Sequence, residues 1–341
     1  MKPEYKRILF QVIFTLIALE IVLRIFGVLS TFTEKLGQGY VSYYNKTLPS
    51  WYHTWPINKP IVYNEPEINC SYPANSFGLR EREIPVAKSD STKKRLFFIG
   101  DSFTEGVGVE YPNAMPRWFE KKLDSAGLNV EVFNAGVSGS DPLYEYMLLR
   151  DKLLPLHPDM VIMSINGTDI QDCIYRGGME RFNADGTTVY RKGPWWEPAY
   201  HYSRLCRLFI HYILRYNNIL TRGEVANAET QQARWQIQQC LYETQRFCRD
   251  HNIQFVCALH PMQSTYRKKN KPEDIKALSA QLSTDSVQFI DMYPDFEPVI
   301  TSDNWQQYFL KLNGHFNATG YHLFADLLFD DINKRYPGFF K

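Results

Sequence analysis

Residues 94–109 read KRLFFIGDSFTEGVGV, and this stretch decides the fold. The short apolar run 96–99 predicts a buried strand, and Gly100 and Asp101 end it with residues that favour turns. Beyond this stretch, apolar runs and amphipathic stretches alternate along the chain. Such alternation is typical of an α/β doubly wound domain, in which a parallel sheet carries helices on both faces.

The alternation continues from residue 93 to residue 341, which we expect to form one domain. The expected strands lie at 96–99, 130–133, 160–165, 253–261 and 287–292. The expected helices lie at 115–126, 142–154, 229–250 and 318–335. Residues 31–92 are rich in Tyr, Trp, Pro and Asn without a sustained period, so we expect a mostly irregular lead-in packed on the core.

Residues 170–225 interrupt the alternation. The segment MERFNADGTTVYRK, residues 179–192, predicts a hairpin around positions 183–186. Residues 200–216 follow a helical period with basic side chains on one face, which predicts a single amphipathic helix. We therefore expect an insertion, a hairpin plus a helix, over residues 170–225.

The amino-terminal stretch 8–29 is almost entirely apolar. At 1.5 Å per residue it reaches roughly 33 Å as a helix, which is enough to cross a bilayer. Glu20 and Arg24 each cost up to about 3 kcal/mol near the bilayer centre, but their spacing of four lets them pair on one helix face. We expect residues 1–30 to form a cytoplasmic stub and a single-pass transmembrane helix, with the lipid bilayer as the partner of residues 8–29.

The charges around this helix predict its orientation. Lys2, Lys6 and Arg7 precede it, whereas Glu34 and Lys35 after it cancel. The positive-inside rule therefore keeps the amino terminus in the cytoplasm and places the rest of the chain in the periplasm or at the cell surface. A cleaved signal peptide is the alternative, although no A-x-A-like site follows the apolar run.

Charge and cysteine usage exclude several classes of partner. Lys and Arg number 38 against 37 Asp and Glu, a formal charge of +1, so we expect no nucleic-acid partner. The six cysteines lack the spacing of metal ligands, so we expect no metal site, and nothing indicates a cofactor. If one disulfide forms, Cys70 with Cys173 is the pair that we favour, while Cys240, Cys248 and Cys257 fit buried thiols.

Ser102 follows the first predicted strand directly. In a parallel sheet, reactive groups collect where strands end at their carboxyl side. The preceding glycine permits a tight turn that exposes the serine hydroxyl and points backbone N–H groups at an anion. Ser102 is therefore a candidate nucleophile, and the alternative is that it only caps a helix.

Four sequence blocks strengthen this interpretation. GDSFTEGVGV at 100–109 resembles the first block of the GDSL/SGNH hydrolase family, and NAGVSG, VIMSINGTDI and HFNATGYHLFA resemble later blocks in the family's order. The resemblance covers roughly residues 94–335 and implies a flavodoxin-like α/β fold. It also implies that Ser102 is the nucleophile, that His315 is its base, and that the Gly139 N–H helps to hold the oxyanion.

Two places depart from the family's pattern. The third block usually ends Gly-x-Asn-Asp with the asparagine as an oxyanion donor, but that position holds Thr168 here and an asparagine stands earlier, at Asn166. Either residue is a candidate for the third donor. The aspartate that usually precedes the catalytic histidine is replaced by Asn313, so we expect Asn313 to hold the base, with a distant acid such as Asp303 as the alternative.

Four further residues are candidates for roles near the site. Asp101 is expected to brace the serine turn. His260 follows a predicted strand at the same sheet edge and is a candidate for substrate contact, although a structural role in the core is the interpretation that we favour. Trp195 and Trp196 in the insertion are expected to bind substrate by stacking on sugar rings, with simple packing as the alternative.

These features together predict a serine-dependent ester hydrolase. Exported relatives in the family it resembles often remove or add O-acetyl groups on surface polysaccharides, so we expect acyl esters, in particular O-acetyl esters, of an extracytoplasmic glycan as substrates. One alternative is an O-acyltransferase that works with a membrane protein as acyl donor. The other is a carbohydrate-binding protein whose catalytic site is impaired.

Overall fold

The structure is a computed structural model that describes residues 3–29, 47–49, 54–65, 67–88, 90–191, 193–216, 223–284 and 287–340. The strands in these ranges are β1 Thr47–Pro49, β2 Pro60–Glu65, β3 Ile68–Pro73, β4 Lys94–Gly100, β5 Val130–Gly136, β6 Met160–Ile165, β7 Thr187–Val189, β8 Gln254–Leu259 and β9 Phe289–Asp291. The helices are α1 Pro3–Ile25, α2 Ser102–Glu105, α3 Met115–Ser125, α4 Pro142–Leu148, α5 Thr168–Arg176, α6 Glu197–Tyr202, α7 Arg204–Leu208, α8 Gly223–Asp250, α9 Gln263–Arg267, α10 Glu273–Thr284, α11 Tyr293–Phe296 and α12 Ala318–Arg335.

Five parallel strands form the central sheet in the order β5-β4-β6-β8-β9. Numbered along the chain, this is the 2-1-3-4-5 order of flavodoxin-like sheets, so the predicted doubly wound α/β fold is confirmed. Gly100 at the end of β4 pairs with Gly136 on β5 and with Ser164 on β6. The three strands therefore end level with one another, and the loops that follow them meet at one edge.

Helices cover both faces of this sheet. Phe97 and Ile99 pack on the side of α4, α5, α8 and α10, whereas Leu96 and Phe98 pack on the side of α3 and α12. All four side chains are completely buried. Because helices cover both faces of the sheet, β4 has consecutive apolar residues and not alternating apolar and polar ones.

The lead-in is more regular than the sequence predicted. Residues 60–73 form an antiparallel hairpin, β2 with β3, where we expected an irregular segment. One face of the hairpin packs on Val107 after the serine helix and buries Ile61, Ile68 and Tyr72. Only one face is buried and each strand has six residues, so the alternating pattern was too short to detect. Residues 31–46 and 50–53 lie outside the described ranges.

The insertion also differs from its prediction. Helix α5 packs on α8 as part of the core, so the insertion begins after Arg176 and not at residue 170. The predicted hairpin is reduced to a bridge between Phe182 and Thr188, because β7 pairs with β1. The single helix predicted over 200–216 is interrupted at Ser203, which is extended and caps α7 by accepting the Cys206 N–H at 3.2 Å.

The disulfide considered between Cys70 and Cys173 is not formed. All six cysteines lie in the described ranges, and none of them takes part in a disulfide. Cys70 packs in the hairpin cluster on β3, whereas Cys173 lies on α5 in the core against α8. Burial raises the pKa of the Cys173 thiol above its ordinary value. The predicted burial of three further thiols is confirmed for Cys240, Cys248 and Cys257.

Helix α1 is the apolar helix predicted near the amino terminus. Its 23 residues are long and apolar enough to cross a bilayer. Leu23 is its one buried residue. The expected pair between Arg24 and Glu20 is present, with 2.8 Å between Nε and Oε1. Most of the apolar surface of α1 is thus left uncovered by the rest of the described chain.

We predict that Gly136→Ala is strongly destabilising, because Gly136 passes close to the backbone of α2. A Cβ atom there would lie 2.2 Å from the Glu105 nitrogen and 2.6 Å from the Thr104 carbonyl carbon. The free energy of unfolding should fall by about 3 kcal/mol or more, since main chain must move. Chemical denaturation of the detergent-solubilised chain measures this loss.

Gly127→Ala is the matched control. Gly127 has a φ of +70° but nothing within 4 Å of a built Cβ atom. Its substitution should cost only about 1 to 2 kcal/mol, from backbone strain alone. Equal losses in the two variants would contradict the close approach of β5 to α2.

Candidate active site

The serine turn joins β4 to α2. Asp101 caps the helix, and its Oδ1 accepts the Phe103 N–H at 2.9 Å. Gly100 has a φ of +156°, and a Cβ atom there would lie 2.2 Å from Thr104 Oγ1. Only glycine fits this position. The turn places the half-buried Ser102 at the carboxyl edge of the sheet.

His315 reaches Ser102 from the loop that precedes α12. Its Nε2 lies 2.6 Å from Ser102 Oγ, and its Nδ1 is hydrogen-bonded to Asn313 Oδ1. A carboxamide oxygen only accepts, so the proton of the neutral ring is on Nδ1 and Nε2 can accept the serine proton. The structure therefore brings together Ser102, His315 and Asn313, with Asn313 where a triad has its acid.

The alternative acid does not reach the histidine. Asp303 is exposed, and its Oδ1 accepts the Ser302 hydroxyl at 3.1 Å while its N–H donates to Thr301 Oγ1 at 3.3 Å. The Nδ1 of His315 is bonded to Asn313 instead. The geometry therefore favours Asn313 as the residue that orients the base.

The imidazole of His315 lies in an aromatic, weakly polar environment. Its ring centroid is 4.5 Å from that of Phe103. Burial lowers the pKa of His315 to about 3, and the neighbouring His260 adds a smaller effect in the same direction. The neutral, proton-accepting form of His315 therefore persists into the acidic range.

Gly139 lies in the loop after β5, next to the serine turn. The Val137 N–H donates to Gly100 O at 2.9 Å, and Arg176 donates to Gly139 O. Ser102 is the first residue of α2, so its N–H has no acceptor within the helix. Among the described residues, no hydrogen bond is assigned to the N–H of Ser102 or of Gly139. These two donors are available to an oxyanion.

The two candidates for a third oxyanion donor both face Asp101. Asn166 Nδ2 donates to Asp101 Oδ2 at 2.9 Å, and its Oδ1 accepts the Thr168 N–H at 2.9 Å. The Thr168 hydroxyl lies 3.2 Å from the same carboxylate oxygen and 2.9 Å from Asn166 Oδ1, so its single proton is already used. Asn166 retains a second amide hydrogen but is completely buried, whereas Thr168 is half-buried with its proton engaged, so the geometry makes neither an open third donor. Asp101 ties the serine turn to this loop.

Three fully buried carboxyl groups lie behind the serine turn: Asp101, Glu145 and Asp169. Burial raises the pKa of each of them, and the repulsion among neighbouring carboxylates adds to the effect. The Ser140 hydroxyl donates to Glu145 Oε1 at 2.8 Å. The cluster is therefore more stable when it holds fewer than three negative charges.

Glu105 is a buried residue that the sequence analysis missed. Its carboxylate accepts the Tyr63 hydroxyl at 3.1 Å, the Tyr72 hydroxyl at 2.9 Å, and the Ser138 N–H and hydroxyl at 2.6 and 2.8 Å. It thereby joins the serine helix to the Gly139 loop and to the β2–β3 hairpin. The one available signal was its position three residues after the serine in GDSFTEG.

Glu67, beside the turn of the β2–β3 hairpin, is a second missed residue. Its carboxylate accepts three consecutive backbone N–H groups, from Lys311 at 2.9 Å, Leu312 at 2.5 Å and Asn313 at 3.0 Å. A carboxylate bound to three N–H groups holds the loop that leads to His315 in one conformation. No local pattern links residues that are 244 or more positions apart.

His260 lies behind the site and not in it. Its ring is fully buried, with centroids 4.8 Å from Phe103, 5.9 Å from Phe316 and 4.8 Å from Phe324. Burial lowers the pKa of His260 to about 4. This geometry fits the structural role and gives the candidate substrate contact no support, because aromatic side chains of α2 and of the closing segment cover the ring.

The two tryptophans of the insertion differ in exposure. Trp195 is 91% exposed. Trp196 packs against Tyr200 and Tyr216, with ring centroids 6.0 and 5.5 Å apart. Of the two, Trp195 has a ring face open to a ligand, whereas Trp196 contributes to packing within the insertion.

Comparison with known proteins identifies the family. The model of the GDSL-like Lipase/Acylhydrolase family matches residues 98–323. Similar solved structures include the lipase/acylhydrolase from Enterococcus faecalis, with 16% identity, a TM-score of 0.42 and coverage of 71% of this chain and 96% of that one. A GDSL-like lipase from Bacteroides thetaiotaomicron shows 15% identity, a TM-score of 0.40 and coverage of 73% and 92%. An acetyl xylan esterase, AlAXEase, shows 15% identity, a TM-score of 0.42 and coverage of 70% of this chain and 99% of that one.

No curated protein matches the chain.

The family match begins within β4 and ends within α12. It includes both Ser102 and His315, and it leaves out the β2–β3 hairpin that carries Glu67. The match covers well over half of the 341 residues. This chain therefore belongs to the GDSL-like lipase/acylhydrolase family of ester-hydrolysing serine hydrolases.

Proposed function

We propose that Ser102 is the nucleophile of this acylhydrolase and that His315 is its general base. The observation that carries the proposal is the 2.6 Å contact between Ser102 Oγ and His315 Nε2, with Nδ1 held by Asn313. A serine hydroxyl becomes a useful nucleophile when a neighbouring base accepts its proton. Here Nε2 is within hydrogen-bonding distance of the hydroxyl, and the bond from Nδ1 to Asn313 leaves Nε2 unprotonated.

The geometry supports a two-step reaction. In the first step, His315 Nε2 takes the Ser102 proton while Oγ attacks the ester carbonyl, and the N–H groups of Ser102 and Gly139 stabilise the oxyanion. The imidazolium then protonates the leaving alcohol, and the acyl group stays on Ser102. In the second step, a water gives a proton to Nε2 and attacks the acyl carbonyl. The imidazolium then returns this proton to Ser102 Oγ as the acyl–serine bond breaks, which releases a carboxylic acid.

Asn313 orients the base but supplies no negative charge. In a full triad the aspartate also stabilises the imidazolium that forms during attack, whereas a carboxamide offers only a hydrogen bond. Because the pKa of His315 is already low, at about 3, its protonation in the transition state is costly. We therefore expect hydrolysis that is slower than in a site with an aspartate at this position.

We further propose that α1 anchors the chain in a membrane and that the hydrolase domain lies outside the cytoplasm. The length of α1 and its uncovered apolar side chains support the anchor. The basic residues Lys2, Lys6 and Arg7 before the apolar stretch support an amino terminus on the cytoplasmic side.

The substrate that we propose is an acyl ester, in particular an O-acetyl ester, on an extracytoplasmic glycan. The exposed ring of Trp195 suits stacking on a sugar. Arg191, four residues before it, is linked to the proposed oxyanion loop through Arg176: the Arg191 N–H donates to Arg176 O at 3.0 Å, and the Arg176 guanidinium donates to Gly139 O. Transfer of the acyl group to a sugar hydroxyl would use the same acyl-enzyme.

Ser102→Ala should abolish ester hydrolysis and covalent labelling by a fluorophosphonate probe, because the attacking oxygen is removed from a half-buried turn. Ser302→Ala, which alters a serine outside the site, is the control and should keep both. Activity that persists in Ser102→Ala would overturn the assignment. A wild-type chain that fails to react with the probe would favour the binding-protein alternative.

Asn313→Asp should raise kcat/KM for a short-chain ester by about tenfold or more, because a carboxylate stabilises the imidazolium formed during attack. The added negative charge also raises the pKa of His315 from about 3. Protonation then removes the base at a higher pH, so the acid limb of the pH–rate profile should move upward. The measurement is kcat/KM against pH.

Asp303→Asn is the control for this change and should leave the rate and the acid limb where they are, since Asp303 has no bond to His315. Loss of activity in Asp303→Asn, together with an unchanged Asn313→Asp enzyme, would show that a distant acid orients the base.

Trp195→Ala should raise the KM for an O-acetylated polysaccharide by about three- to tenfold and leave the hydrolysis of a small acetyl ester unchanged. Trp235→Ala is the control, because Trp235 is 57% exposed on α8 outside the insertion. The assay follows acetate release and acetyl transfer separately. Equal effects of the two substitutions would remove Trp195 from the substrate site.

A further inference from the structure

The insertion is joined to the second half of α1. The Glu20 carboxylate accepts the Arg204 N–H at 3.1 Å, the Leu205 N–H at 2.9 Å and the Ser203 hydroxyl at 3.0 Å. These are the first N–H groups of α7 and its capping hydroxyl, which have no acceptor within the helix. Glu20, an unfavourable residue in an apolar helix, thus has its partners within the same chain.

Two arginines of the insertion complete this joint. Arg204 donates to Leu23 O at 2.7 Å, and Arg207 donates to Leu29 O at 2.8 Å. Their exposed fractions are 9% and 1%. The charged groups at the joint are therefore turned toward backbone carbonyls and toward each other, as polar groups in a lipid environment must be.

The joint lies within the apolar stretch and not beyond it. From residue 8 to residue 19 the helix rises only roughly 18 Å. The hydrocarbon core of a bilayer is about 30 Å thick, so a spanning helix must also use residues 20–25, the last six of α1. These are the residues that the insertion holds, which places the insertion at the depth of the outer leaflet.

The insertion exposes large apolar side chains next to this joint. Tyr202, Phe209, Tyr212 and Ile213 are 73%, 49%, 69% and 61% exposed. They come from the end of α6 and from the π-type turn Phe209–Ile213 that continues α7. Apolar side chains with tyrosines among them are typical of protein surfaces at a membrane interface.

We propose that these four residues form a lipid-facing patch immersed in the outer leaflet beside α1. This inference rests on the proposed transmembrane anchor and adds to it a second membrane contact. We infer lipid as the partner of the patch because the patch adjoins the joint, and the joint lies on the proposed membrane-spanning helix. Two contacts, α1 and the patch, would hold the hydrolase domain in one orientation over the bilayer.

The test uses the full chain in nanodiscs of phosphatidylcholine and phosphatidylglycerol. A Cys206→Ser background removes the one half-buried thiol, and nitroxide labels are placed through Phe14→Cys, Tyr212→Cys or Arg249→Cys. Power-saturation EPR compares collisions with oxygen, which concentrates in lipid, and with a water-soluble nickel complex. We expect lipid-type collisions at 14 and 212 and water-type collisions at 249, near the end of α8.

Water-type collisions at 212 with lipid-type collisions at 14 would overturn the patch and leave the anchor intact. Water-type collisions at both positions would overturn the anchor and the patch together. Glu20→Ala removes the carboxylate that accepts the first N–H groups of α7. In this variant the label at 212 should lose its lipid-type collisions, whereas the label at 14 should keep them. No change at 212 in this variant would overturn the role of the joint.

Discussion

A buried carboxylate requires hydrogen-bond donors. Glu105 is such a carboxylate, and the segments that supply its donors form the candidate active site. An isolated charge in the interior is strongly unfavourable, so its hydrogen bonds are obligatory. The donors come from Tyr63 and Tyr72 on the hairpin and from Ser138 in the loop after β5. Since Ser138 precedes Gly139, the same carboxylate that holds the hairpin also sets the position of the proposed oxyanion donor.

The histidine side of the site follows a different electrostatic plan. Within the part of the chain that the structure describes, no carboxylate bonds to the imidazole of His315. Its partners are the Ser102 hydroxyl and the Asn313 carboxamide, and aromatic rings pack beside it. A carboxylate acts on this loop indirectly: Glu67 binds the backbone N–H groups of Asn313 and its two preceding neighbours, and not the imidazole itself. The base is thus positioned by charge without being made more basic by it.

The parts of this molecule that the sequence predicted are those with a local signature. Apolar runs of strand length marked β4 and β6, and four motif blocks pointed to Ser102 and His315, which the structure places in contact. Residues defined by distant partners were missed. Glu67 has its partners more than 240 positions away, and Glu105 looks like an ordinary helical acid until the hairpin packs on it.

Tertiary contacts decide two details that the sequence left open or predicted wrongly. The helix predicted through Ser203 is broken because Glu20, 183 residues earlier, attracts its hydroxyl and the N–H groups that follow. His260 was placed correctly at the edge of the sheet, but rings from α2 and α12 cover it. In each example the outcome depends on a tertiary contact with a residue far away in the sequence, which the local sequence pattern does not contain.

The contacts of Glu67 bear on where the catalytic unit begins. The motif blocks and the family match start at β4, so a modular view would treat residues 98–323 as the enzyme and the preceding segment as a spacer. The loop that carries Asn313 is nevertheless fastened to a side chain upstream of that boundary. Exchange of the motif-bearing core between relatives would therefore transfer the proposed nucleophile and base but leave behind the side chain that holds the loop between them.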